Sequence, residues 1–135
     1  MRKSDIILPD TNVVLRYLLK DIPDQYEKSA AFFEKVRSGT ERAVILESVL
    51  VECVYILLKF YGVPKVEIAA SLTGLLHYRG VVNRDKDAMV EALRVFAENK
   101  LDVVDCMLIA KGKHDNMTIF TFDKALGKVQ QAEKG

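Results

Sequence analysis

The chain has 135 residues, 50% hydrophobic and 29% charged, with 20 Lys and Arg against 19 Asp and Glu for a formal charge of +1. That length suits one domain, residues 1–135, around a single core, and the composition excludes a disordered chain. The balanced charge excludes a protein-wide attraction to nucleic acid, so any basic footprint must be local.

Ser4 to Leu8 reads as a short buried strand. Thr11 or Asn12 then caps a helix through Val13, Val14 and Leu15 to Leu19. Pro23 suits the start of a second helix that Gly39 stops. Ala43 to Leu46 is a second strand, followed by a helix from about Ser48 to Phe60. Pro64 opens the next helix, which ends before Gly80, and Val81-Val82 forms a brief strand. Asp85 to Asn99 carries Ala88, Met89, Ala92, Leu93 and Phe96 at helical spacing. Leu101 to Lys113 is also helical. Met117 to Phe122 is the clearest strand, and Lys124 to Ala132 a final short helix. Strands alternating with helices predict an α/β fold, three-layer α/β/α, with a short parallel sheet of four or five strands.

No apolar run reaches the roughly 20 residues of a membrane span. The start of the chain lacks the pattern of a signal peptide, with Pro9, Asp10 and Asn12 breaking its apolar segment. Cys53 and Cys106 each lie inside an apolar helical pattern, which predicts buried free thiols and a cytoplasmic location.

Four carboxylates end or interrupt these apolar runs. Asp10 closes Ile6-Ile7-Leu8-Pro9, and Glu52 is the sole charge between Val49 and Leu58. Asp105 sits within Val103-Val104-Asp105-Cys106-Met107, and Asp123 follows Ile119-Phe120-Thr121-Phe122. Carboxylates near a core are costly unless paired or bound to metal. In an open parallel sheet the strand ends share one edge, so Asp10 and Asp123 can face one crevice, with Glu52 and Asp105 arriving on helices. An all-oxygen set suits Mg²⁺ or Mn²⁺ rather than zinc, and one ion or two fits the count equally. Each acid also has an ordinary reading: a helix cap for Asp10 or Asp123, an isolated ion pair for Glu52. Asp102, three residues before Asp105, is a helix-start residue, an outer ligand or a solvated charge.

The order Asp10-Thr11-Asn12, Glu52 within Val51-Glu52-Cys53-Val54-Tyr55, Asp105 within Leu101-Asp102-Val103-Val104-Asp105-Cys106-Met107, and Thr121-Phe122-Asp123-Lys124 resembles the PIN-domain nucleases. Within them the chain is most similar to the VapC-type toxins of prokaryotic toxin–antitoxin modules. The resemblance implies that Asp10, Glu52, Asp105 and Asp123 are the metal-binding catalytic acids of an endoribonuclease dependent on Mg²⁺ or Mn²⁺. Such an enzyme hydrolyses RNA phosphodiester bonds with an activated water. The resemblance points to Thr11, Asn12 and Thr121 as supporting residues. It also implies a homodimer and a neutralising antitoxin partner. A PIN-type RNA-processing nuclease without a toxin role fits the same residues, and a noncatalytic metal-binding regulatory α/β module is the alternative from another class.

Arg16, about a turn and a half beyond Asp10, is the first choice for a substrate contact, although it, Lys111, Lys113 and Lys124 all read first as solvated charges. Tyr55, Phe60 and Tyr61 read as core or dimer interface rather than a base-stacking platform.

Overall fold

The computed structural model describes residues 5–134. Strand β1 (Ile6–Ile7) leads into helix α1 (Thr11–Leu19), α2 (Pro23–Ser38) and strand β2 (Arg42–Ala43). Helices α3 (Glu47–Lys59), α4 (Lys65–Leu76), α5 (Lys86–Glu98), α6 (Val103–His114) and α7 (Lys124–Lys134) follow. Every helix boundary falls within three residues of the one its capping and spacing predict, and Ser4, the expected first strand residue, lies outside the described residues.

The caps explain the boundaries. Pro23 opens α2, where its missing N–H costs nothing, and Gly39 ends it at φ 86°, a left-handed conformation that favours glycine. Gly39 donates its N–H back to Val36.

The strands β1 and β2 pair in parallel, Ile6 opposite Arg42 and Ile7 opposite Ala43. A single parallel bridge joins Ala43 to Val81 on the other side of β2. Gly80 makes that approach possible. Its N–H donates to Val36 O at 2.7 Å, its carbonyl accepts from Ala43 N at 2.8 Å, and a Cβ there would run into the Glu41 and Val36 carbonyls. Asn83 extends the union by pairing side chain to backbone with Ile45, accepting from its N–H at 2.9 Å and donating to its carbonyl at 2.6 Å.

The α/β class and the parallel pairing hold, but the sheet among the described residues has two strands and one bridge, not four or five strands. Met117 to Phe122, read from sequence as the clearest strand, forms none. Phe120 is 87% exposed and Phe122 93%, their rings packed edge to face on each other. Strand propensity expresses the fit of a side chain to a pleated, half-buried surface, and here no neighbouring strand supplies that surface.

Helix-to-helix packing dominates instead, with α5 set against α4 and α6 and α1 against α2. One continuous core runs from Val14 to Leu126, with Phe33, Leu50, Ile68, Leu72, Met89, Leu93 and Phe96 almost fully buried in it. Each such side chain contributes about 1.5–3 kcal/mol by leaving water. For the site, the consequence is that the buried faces of α3 and α6 fix the direction in which their opposite faces point.

Candidate active site

Helix α6 buries Val103, Cys106, Met107, Ile109 and Ala110. That packing leaves Asp105 half-buried at the start of the helix, with Asp102 exposed at the N-cap position. Asp102 makes no capping hydrogen bond, so its carboxylate is not used to start the helix. Helix α3 buries Leu50, Cys53, Val54 and Leu57, which turns Glu52 outward. Glu52, Asp102 and Asp105 all line one cleft of about 610 Å³, together with Ser48, Tyr55, Lys59 and the apolar side chains of Val51, Leu58 and Val104. Glu52, Asp102 and Asp105 make no ion pair or side-chain hydrogen bond among the described residues, so Glu52 is not half of an isolated ion pair.

Asp10 and Asp123 do act as helix caps. Asp10 Oδ1 accepts from Val13 N at 3.0 Å, and Asp123 Oδ1 from Leu126 N at 3.1 Å. In each case the capping role occupies one oxygen, and Oδ2 makes no hydrogen bond or ion pair among the described residues. Asp123 reaches this position from an irregular segment rather than a strand end, and its N–H donates to Thr121 Oγ1 at 3.0 Å.

The charges sense one another across these elements. Burial, then Asp102 and Asp123, hold the Asp105 carboxyl above its usual range. Burial, then Glu52 and Asp10, push the Cys53 thiol up to about 12. Burial likewise lifts Cys106 to about 11, opposed by Lys65 and reinforced by Asp105 and Asp102. Both cysteines are buried free thiols, as expected, with pKa values that make them poor nucleophiles.

The donor set is all oxygen and its charges are uncompensated, which fits a hard divalent cation. Among the described residues no three Asp, Glu, His or Cys side chains gather as a cage for one ion. Mg²⁺ does not need such a cage, since it usually keeps several waters and takes one or two carboxylates.

The supporting residues divide. Thr11 opens α1, and its carbonyl faces the Cys53 thiol at 3.9 Å. Asn12 and Arg16 share a hollow with Asp10, Lys28 and Ser29. Arg16 is buried, its guanidinium 3.1 Å from Asp21 and donating to the Tyr61 hydroxyl at 3.4 Å. Lys111 pairs with Glu47 at 3.0 Å. Lys124 lies exposed beside Asp123. Tyr55, Phe60 and Tyr61 are 57%, 77% and 46% exposed, so none is a core residue.

Sequence reasoning missed Lys65. Its ammonium donates to Asn99 O at 3.0 Å and Leu101 O at 2.9 Å, and lies 4.4 Å from the centre of the Phe96 ring. It thereby holds the loop that delivers Asp102 and Asp105. Nothing around Val63-Pro64-Lys65 marks it, because its partners are carbonyls and a ring more than 30 residues away. Lys28, on α2, lines the same hollow as Asp10, and no local pattern singles it out.

A family model described as the PIN domain matches residues 7–132. The chain belongs to the PIN domain family. No curated protein and no solved structure matches it. PIN domains are generally nucleases, which makes this chain a hydrolase of nucleic acids by family. No helix of this PIN domain, among the described residues, is long and apolar enough to cross a membrane.

Proposed function

We propose that this PIN domain is an endoribonuclease dependent on Mg²⁺ or Mn²⁺ and the toxin of a VapC-type toxin–antitoxin module. The observation that carries the reading is the cleft in which Glu52, Asp102 and Asp105 stand without a cationic partner, with Asp123 close enough to raise the Asp105 pKa. Of Asp10, Glu52, Asp105 and Asp123, one or two would hold the ion directly and the others through its waters, with Asp102 beside Asp105 in the cleft. When bound, the divalent ion lowers the pKa of an attacking water and offsets charge on the phosphate oxygens.

The chain's own residues supply the rest. Asp10 and Asp123 are oriented by their helix N–H bonds, and the Thr121 hydroxyl fixes the turn that carries Asp123. The first turn of α6 lines the cleft with Asp102 to Asp105, and the helix dipole sets partial positive charge at that end. Lys65 keeps the 99–102 loop, and so the two acids after it, in place. Water, rather than a protein group, attacks the phosphorus, and no covalent enzyme intermediate forms. Thr11 and Asn12 open α1 directly after Asp10, and Arg16, held toward Asp21, lines the hollow that Asn12 shares with Asp10. The toxin reading brings with it a homodimer, a neutralising antitoxin and a cytoplasmic location. The exposed Phe60, Phe120 and Phe122 offer apolar surface for such protein contacts.

The test is cleavage of RNA by purified protein with Mg²⁺ or Mn²⁺, beside the Asp10→Asn and Asp105→Asn variants. Metal-dependent cleavage that falls at least a hundredfold in both variants is expected. Undiminished cleavage by both, or cleavage in the presence of a chelator, would overturn the proposal. Cleavage in vitro without growth arrest on expression would leave an RNA-processing nuclease and remove the toxin role.

A further inference from the structure

Helix α3 carries four chemically different side chains in one line. Ser48, Glu52, Tyr55 and Lys59 recur at four, seven and eleven residues, which places them on a single narrow helical stripe. All four are exposed and all four line the acidic cleft. Catalysis accounts for Glu52 alone. Tyr55 is 57% exposed, and neither its hydroxyl nor its ring makes a polar or aromatic contact with a described residue. Lys59 makes no ion pair or hydrogen bond with a described residue. It lies about 10 Å along the helix from Glu52, too far to neutralise it.

We propose that this stripe is the track for single-stranded RNA, with a base stacked on Tyr55 and the adjoining phosphate held by Lys59. The inference rests on the nuclease reading for its substrate, but its test does not depend on cleavage. A cleft with three carboxylates repels an anion unless something else attracts it. Here the attraction comes from the apolar walls of Val51, Leu58 and Val104, the aromatic face of Tyr55 and the cation of Lys59. That combination of π face, apolar wall and flanking cation is what an unpaired nucleotide offers contacts to. A duplex keeps its bases stacked inside and cannot present one to Tyr55. The order along α3 also sets a direction: the phosphate to be cut lies at the Glu52 and Asp105 end, and the next one lies toward Lys59.

The experiment measures fluorescence anisotropy of a labelled single-stranded oligoribonucleotide with the whole chain carrying Asp105→Asn, in Mg²⁺, so that binding is read without turnover. Adding Tyr55→Ala should weaken binding by roughly 5- to 150-fold, the range for loss of one base–aromatic stack. Tyr55→Phe, which keeps the ring, should restore it. Lys59→Gln should lower the slope of log affinity against log salt by about 0.7, the value for one phosphate contact on a single strand. Both residues are exposed, so these variants fold. Tyr55→Ala binding as tightly as its parent, or a duplex of the same sequence binding as tightly as the single strand, would overturn the inference. So would sedimentation showing that Tyr55→Ala breaks a dimer while RNA affinity stays unchanged, since Tyr55 would then belong to a protein interface. Tyr55-dependent binding supports the track even where wild-type protein proves unable to cut.

Discussion

Replacing Lys65 with methionine isolates the part of the fold that presents the acids. The wild-type ammonium makes two charge-assisted hydrogen bonds, to Asn99 O at 3.0 Å and Leu101 O at 2.9 Å, and sits over Phe96 at 4.4 Å. Hydrogen bonds to a charged group contribute about 1.5–3 kcal/mol each, and the ring contact adds about 0.5–1 kcal/mol. Methionine keeps the stem's packing and removes the cost of desolvating the ammonium, while water reaches the freed carbonyls in part. The net loss for Lys65→Met is therefore about 2–4 kcal/mol. With a urea m-value of about 1.5 kcal/mol per molar, a 3 kcal/mol loss lowers the unfolding midpoint by about 2 M. Because the loop runs straight into Asp102 and the first turn of α6, RNA cleavage should fall as well, under conditions where the variant is still fully folded. Lys65→Arg, which keeps the charge, should recover part of both. Equilibrium urea unfolding followed by circular dichroism, beside single-turnover cleavage, makes the measurement. A midpoint within 0.3 M of wild type, or full activity in the folded variant, would refute the reasoning.

Two other perturbations test the frame around the site. Arg94 joins α5 to α7 by its bond to Glu133 at 2.5 Å, and within α5 it bonds to Glu91 and to Glu98 at 2.8 Å. Burial alone would raise the Glu91 pKa, but the hydrogen bond and charge of Arg94, with Lys113 and His114, hold it below the ordinary value. A lowered folded pKa gives stability that is present above the unfolded value near 4.3 and lost as pH falls through the folded one. Glu91→Gln should thus lower the urea midpoint at pH 7, and that difference should shrink below about pH 4. An unchanged gap between pH 7 and pH 3.5 would contradict the assignment. Gly80→Ala drives a Cβ into the Glu41 and Val36 carbonyls at the strand bridge and should cost more than about 3 kcal/mol. A melting temperature within 2 °C of wild type would show that this close approach does not exist.

The helices were legible because each carries its own local signals. Pro23 and Gly39 bracket α2, and the apolar spacing of Ala88, Met89, Ala92, Leu93 and Phe96 marks α5 without reference to anything distant. The sheet was less legible. Val44 N donates to Ile7 O at 3.1 Å, and Val82 N to Ala43 O at 2.9 Å, pairings between segments dozens of residues apart. For Met117 to Phe122 the local β signal is strong but the partner that would realise it is missing, so composition overstated the sheet. Among the candidate acids, their exceptional placement in apolar surroundings singled out Asp10, Glu52, Asp105 and Asp123. That two of these also cap helices is compatible with the same placement, since a cap uses one carboxylate oxygen.

By itself, then, the sequence determined the helices, the parallel α/β class and the identity of the unusual carboxylates, because propensity, capping and hydrophobic period act over a few residues. Tertiary structure alone decided that Asp102 stands in the same cleft as Glu52 and Asp105, and that Arg16 turns to Asp21. It also decided that Lys65 anchors the loop ahead of the acids, and that Tyr55 and Lys59 face the cleft. These depend on how α3, α4, α5 and α6 pack against one another. Packing is set by complementary surfaces far apart in the chain, where local patterns carry no information.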